Sequence, residues 1–254
     1  MGTTAMKITQ ESLKHFVEDL RVTHKENLAA VVLYGSAAAG DAMAERFGLN
    51  VLVALHSITP KDLRLAQAPA REWQRLGQPT PVYFTLRELS EAADVFPIEF
   101  HQMARTRRVL FGQDPFEFVE LSNANLRHQT EYELRGKLIQ LRRSYIPASA
   151  SSEKLAALMS ESLGTFSSLF RPVLILHGVE PPVAKQAAVR AVVELLGLDG
   201  ETFEKIFTLR AEGAEEFALT DEQANSLFAS YMQQLERVVE VVDRLPAQAS
   251  ASPL

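Results

Sequence analysis

The sequence predicts an α+β fold: a small mixed sheet with helices at the N-terminus, followed by an antiparallel helical bundle. Three observations carry this. Short, continuous apolar runs with the length of buried strands occur only within the first ~120 residues, as at Leu28 to Tyr34 and Leu49 to Leu55. From Asn123 onward no convincing strand is found. The later segments are long, carry apolar residues at helical spacing and are joined by short connections, the pattern of an antiparallel bundle. The expected domains are therefore 1–120 and 121–245, with 246–254 ("PAQASASPL") as a disordered tail.

The elements follow in order. Ile8 to Lys25 reads as a helix, with Leu13, Phe16, Val17 and Leu20 recurring on one side and Thr9 as its cap. Leu28 to Tyr34 is a strand that runs into Gly35-Ser36, and Leu49 to Leu55 is a second strand. Thr59-Pro60 opens a helix over Lys61 to Leu76, with Pro at the first helical position and Gly77 as the stop. Pro81 to Thr85 is a third strand, and Thr85 caps a short helix reaching Ala93. Arg108 to Gly112 fits either a fourth strand or the end of a short helix. Asn125 to Tyr145 is helical and is expected to break at Pro147, with Ala148 to Ser152 as a linker. Glu153 to His177 is a long helix that Pro172 should kink. Helices over Pro182 to Leu196, Glu201 to Phe207 and Asp221 to Arg244 complete the chain, the last capped by Thr220.

Composition narrows the chemistry. The 254 residues include no cysteine, which removes disulfides, thiolate metal sites and cysteine nucleophiles. The net charge of −6 gives no overall basic excess, so nucleic-acid binding is not expected. No apolar run reaches the ~18 residues that cross a bilayer, and the N-terminus lacks an apolar signal core, which points to a cytoplasmic protein with no membrane partner. The six histidines show no HxxxH or HxH pair, so a zinc site is not expected. Ser36 does not lie in a G-x-S-x-G elbow.

"VVLYGS" (Val31 to Ser36) and "FGLNVLVAL" (Phe47 to Leu55) together resemble the nucleotidyltransferase superfamily, which includes polymerase-β-like and kanamycin-type enzymes. In that superfamily an apolar strand, Gly-Ser, about a dozen residues and Asp-x-Asp on a second apolar strand form the catalytic signature. A helical bundle behind the catalytic-type domain is a familiar layout there. The segment "DVFPIEFHQMARTRRVLFGQDPF" (Asp94 to Phe116) is similar to an uncharacterised bacterial branch.

The resemblance implies a chemistry that these residues only partly supply. Carboxylates two apart on a strand share a face and hold magnesium beneath a triphosphate. A third carboxylate from a neighbouring strand activates the attacking hydroxyl. Here the two aspartate positions fall on Gly48, which has no ligand, and Asn50, which has a neutral one. The third strand offers Tyr83 or Thr85 where an acid would be sought. The sequence thus predicts a degenerate metal site, no required cofactor and a pseudoenzyme that binds a nucleotide or a partner. Gly35, Ser36, Arg135 and Arg142 are the candidate nucleotide contacts; the arginines, with Lys137, would face the cleft between domains if they are not simply a solvated outer face.

The alternative is an active transferase that moves a nucleotidyl group from ATP, with magnesium, to a small molecule or protein, using displaced carboxylates Asp41 and Glu45. Gly40-Asp41 reads more readily as a helix C-cap than as a metal site. Arg105, Arg107 and Arg108 either contact phosphate or form a solvated basic face. A third reading is an interaction module that pairs with itself or with another protein through the helical domain, where Leu235, Val238, Val239, Val241 and Val242 line one side of the last helix, an arrangement more often core than interface.

Overall fold

In a computed structural model of the chain, residues 10–35, 37–38, 48–212 and 219–246 are described. The chain divides into two compact units between Ser122 and Asn123.

In the first unit, α1 (Gln10–His24) leads through one turn of 3-10 helix into β1 (Leu28–Tyr34). Then come β2 (Asn50–Leu55), α2 (Pro60–Leu65), α3 (Gln67–Arg75), β3 (Val82–Thr85), α4 (Leu86–Glu91), α5 (Pro97–Arg105) and β4 (Arg107–Gly112). The sheet is mixed, with order β3-β2-β1-β4. β1 is antiparallel to both β2 and β4, and β2 is parallel to β3. Both faces are covered, which is why β1 and β2 read as unbroken apolar runs rather than alternating ones. One face carries Val31, Leu33, Val51 and Val53 against α1 and Trp73, whose ring stacks on Phe16 at 4.3 Å between centroids. The other carries Val32, Leu52 and Ala54 against Leu89, Phe100 and Phe116.

Local signals explain most boundaries. Thr59 and Thr85 each close a capping box, with Asp62 and Glu88 as the returning carboxylates. The single helix expected over Lys61 to Leu76 is two helices, interrupted at Ala66. Pro69 is the cause: it has no N–H to offer the Leu65 carbonyl, so the ladder must restart. α5, opened by Pro97, has no counterpart in the sequence reading. Arg107 to Gly112 is a strand.

The second unit consists of α6 (Asn123–Ala148), α7 (Ser152–Leu176), α8 (Lys185–Leu196), α9 (Gly200–Glu212) and α10 (Asp221–Arg244). α6 does not break before Pro147, because the proline sits in its last turn, and α7 runs on through Pro172. Cross-contacts fix the directions. Tyr145 reaches Asn225, Arg142 reaches Glu236 and Arg127 reaches the Val242 carbonyl, so α6 and α10 run antiparallel. Ser152 meets Asp221 and Ser162 meets Tyr231, so α7 and α10 run parallel. That parallel pair is made possible by α8 and α9, which both pack on α7 and carry the chain back. Leu235, Val238, Val239 and Val242 are buried within this unit, which makes that stripe core. The predicted tail lies almost wholly outside the described residues.

Candidate functional site

The register of β1 on β2 places Tyr34 opposite Asn50 at one end of the sheet. Gly35 follows at once, and its backbone N–H donates to the Thr106 carbonyl at 2.9 Å, tying the turn to the start of β4. The Gly35 carbonyl accepts from the Ala38 N–H at 2.9 Å, closing a tight turn. The Asn50 amide nitrogen lies 3.5 Å from where a side chain on Gly35 would begin. Gly35, Asn50, Tyr34 and Thr106 thus meet at one place. Burial raises the Tyr34 phenol above its ordinary pKa, so it stays protonated and neutral.

Gly48 lies two residues before Asn50 and adopts φ +84°, a left-handed backbone that disfavours any side chain. A Cβ there would also stand 2.7 Å from Cδ of Pro79. Beside it, the buried Gln78 accepts from the Leu49 N–H at 2.6 Å and donates to the Leu76 carbonyl at 3.2 Å. The loop before β3 therefore closes over Gly48, where the sequence reading expects a first carboxylate position. Sequence reasoning missed Gln78 and Pro79, since the loop gave only a helix stop at Gly77; the partner of Gln78 is 29 residues away in the chain.

The other sequence candidates fall as follows. Thr85 caps α4 and lies opposite Leu55, at the far end of the sheet from Asn50. Tyr83 packs on the opposite face, where burial pushes its pKa up to about 12. Neither supplies an anionic ligand. Arg107 is bound to Asp114 at 2.7 Å, reaches the Ala104 carbonyl and sits over the Phe116 ring. In the second unit, Arg135 pairs with Glu131 at 2.7 Å and Asp243 at 3.3 Å, and Arg142 pairs with Glu236 at 2.7 Å. Each of these arginines remains about half exposed. Ser36, Asp41 and Glu45 lie outside the described residues.

The fit of this end to magnesium can be judged from its donors. A metal beneath a triphosphate needs anionic oxygens, and Gly48 and Asn50 supply none. Among the described residues no group of three or more histidine, aspartate or glutamate side chains is placed to hold an ion. The described residues do not fit a two-metal centre.

For a mixed sheet with a Gly turn beside the second strand, followed by a helical unit, the sequence reading expects the nucleotidyltransferase fold. A solved structure confirms it: spectinomycin adenyltransferase AAD(9) from Enterococcus faecialis, determined with ATP and spectinomycin, aligns over 90% of this chain and all of its own, with a TM-score of 0.55 and 15% identity. That likeness shows the fold alone: the chain shares the fold of that adenyltransferase. No protein-family model matches the sequence, and no curated protein matches it.

Proposed function

We propose that this chain is a nucleotidyltransferase-fold protein without two-metal catalysis, which binds a nucleotide or a protein partner. The observation that carries this reading is the backbone at Gly48, left-handed and backed by the Pro79 ring, two residues before a neutral Asn50. A side chain at the first position would strain the backbone and press on Pro79, and the second position carries no charge. Since ATP is present in the structure of the similar adenyltransferase, it is the nucleotide to try first.

Gly35 and Ser36 would offer the turn in the first unit; in the second unit, taken by itself, Arg135 and Arg142 are candidate charge contacts. A protein partner on the helical unit would meet Tyr132, Ile139 and Ile146, which are exposed and spaced seven apart on α6. Calorimetric titration with ATP, with and without magnesium, tests the proposal. Binding that is largely indifferent to magnesium supports it, and a loss of affinity in an Arg135→Ala, Arg142→Ala double variant supports the assigned contacts. Tight binding that needs magnesium would falsify it.

The second reading, an active transferase, rests on the retained Gly35 turn and sheet register. It would use Asp41 and Glu45 as displaced ligands for magnesium, with ATP as donor; spectinomycin, which accompanies ATP in the similar structure, is the first acceptor to offer. Replacing both acids by alanine should then abolish pyrophosphate release, and unchanged release would remove this version.

A further inference from the structure

The far end of the same sheet holds a cavity of about 460 Å³, within the ~300–1,000 Å³ range of small-molecule sites. Its inner walls are Leu28 and Ala29 at the start of β1, Phe111 at the end of β4, and Phe118 and Val119 beyond it. Leu86, Ser90, His56 and Gln113 also line it. β1 spans the distance from this cavity to Tyr34, roughly 20 Å at ~3.3 Å per residue, so the cavity is separate from the Gly35–Asn50 end.

Two features say what would occupy it. First, it is poor in charged side chains. Neither lysine nor arginine contributes, and its single carboxylate, Asp114, is held by Arg107 at 2.7 Å and by the Phe116 N–H at 3.0 Å. Second, large apolar side chains face it while open to solvent, Phe118 at 75% exposure and Leu86 at 40%. Gly112 has φ +77°, and a Cβ on it would stand 2.0 Å from the Ala29 carbonyl oxygen, so β4 and β1 approach each other backbone to backbone at this point.

We propose that this cavity is a binding site for an uncharged small molecule, with an aromatic or aliphatic body of about two fused rings and one hydrogen-bonding group for Ser90, His56 or Gln113. The site is independent of the nucleotide reading, since it shares no residue with the Gly35–Asn50 end.

The test is titration of the full chain with 2-naphthol, followed by its own fluorescence, with 2-naphthoate as the charged comparison. One saturable site is expected for 2-naphthol and at least tenfold weaker binding for the carboxylate. Ser90→Trp, which fills the exposed mouth, and Phe118→Ala, which removes a wall, should each weaken 2-naphthol at least tenfold while the melting temperature and circular dichroism stay unchanged. Saturating ATP should leave the affinity as it was. The proposal is overturned by absence of saturable binding at millimolar probe, by equal affinity for the two probes, by binding that survives both substitutions, or by displacement with ATP.

Discussion

The two ends of the sheet are built from the same strands and meet opposite requirements. At the Gly35–Asn50 end, polar backbone groups and a neutral amide gather in a turn, and the Gln78-Pro79 loop closes over the neighbouring backbone. At the Leu28–Gly112 end, large apolar side chains are left standing around open space. Each end contains a left-handed glycine, but with different neighbours. Gly112 faces a backbone carbonyl on β1, whereas Gly48 faces a proline ring. Strand register and chemical content are thus set separately, because register depends on backbone pairing and chemistry on a few side chains at the strand ends.

That comparison can be tested by substitution. The largest effect is expected for Gly112→Ala. Its Cβ would overlap a main-chain oxygen that cannot move without unzipping β1 from β4, so the loss should exceed about 3 kcal/mol in chemical denaturation. A loss under 1 kcal/mol would mean the far end is adaptable after all.

Acid should act next, through His101 on α5, in the layer behind Phe100 and Phe116. Burial, and then the charge of Arg105, lowers its pKa to about 4, with the Ser122 backbone pulling weakly the other way. The unfolded chain binds that proton near pH 6.5 and the folded chain only near 4. Stability should therefore be full above pH 6.5 and fall between 6.5 and about 4, by about 3 kcal/mol at most. His101→Phe should flatten that slope in a pH series of denaturation curves.

Gly48→Ala should cost less, about 2 kcal/mol, because part of the penalty is contact with a side chain. Pro79→Ala in the same chain should restore a portion of it, which a double-mutant cycle would register as favourable coupling. Strict additivity would show that Pro79 is not what blocks the position. Gln78→Leu should cost about 1–2 kcal/mol by leaving the Leu49 N–H without its acceptor. The smallest effect is expected in the second unit: Arg142→Ala should change stability by no more than about 0.5 kcal/mol, since its pair with Glu236 is half in solvent.

Much of this architecture was legible residue by residue. Thr59, Thr85 and Thr220 mark helix starts through local hydrogen bonds that need only three residues of sequence. β1 and β2 were readable because a strand buried on both faces must be apolar throughout. That positions 48 and 50 hold a glycine and an asparagine rather than acids was likewise plain in the letters. What could not be read was non-local. α5 has no local cap beyond Pro97, and its buried Phe100 makes sense only against Phe84 and Phe116. The closure over Gly48 depends on Gln78 and Pro79, which only the folded sheet brings there. The far cavity is assembled from four stretches that no spacing rule connects.

The most direct measurement is a crystal structure of the chain grown with ATP and manganese, with anomalous scattering used to locate the metal. The account predicts no ion coordinated at Asn50 and an unchanged left-handed Gly48 beneath Pro79. Two metal peaks beside that strand, held by Asp41, Glu45 or other acids and bridging the phosphates, would contradict it.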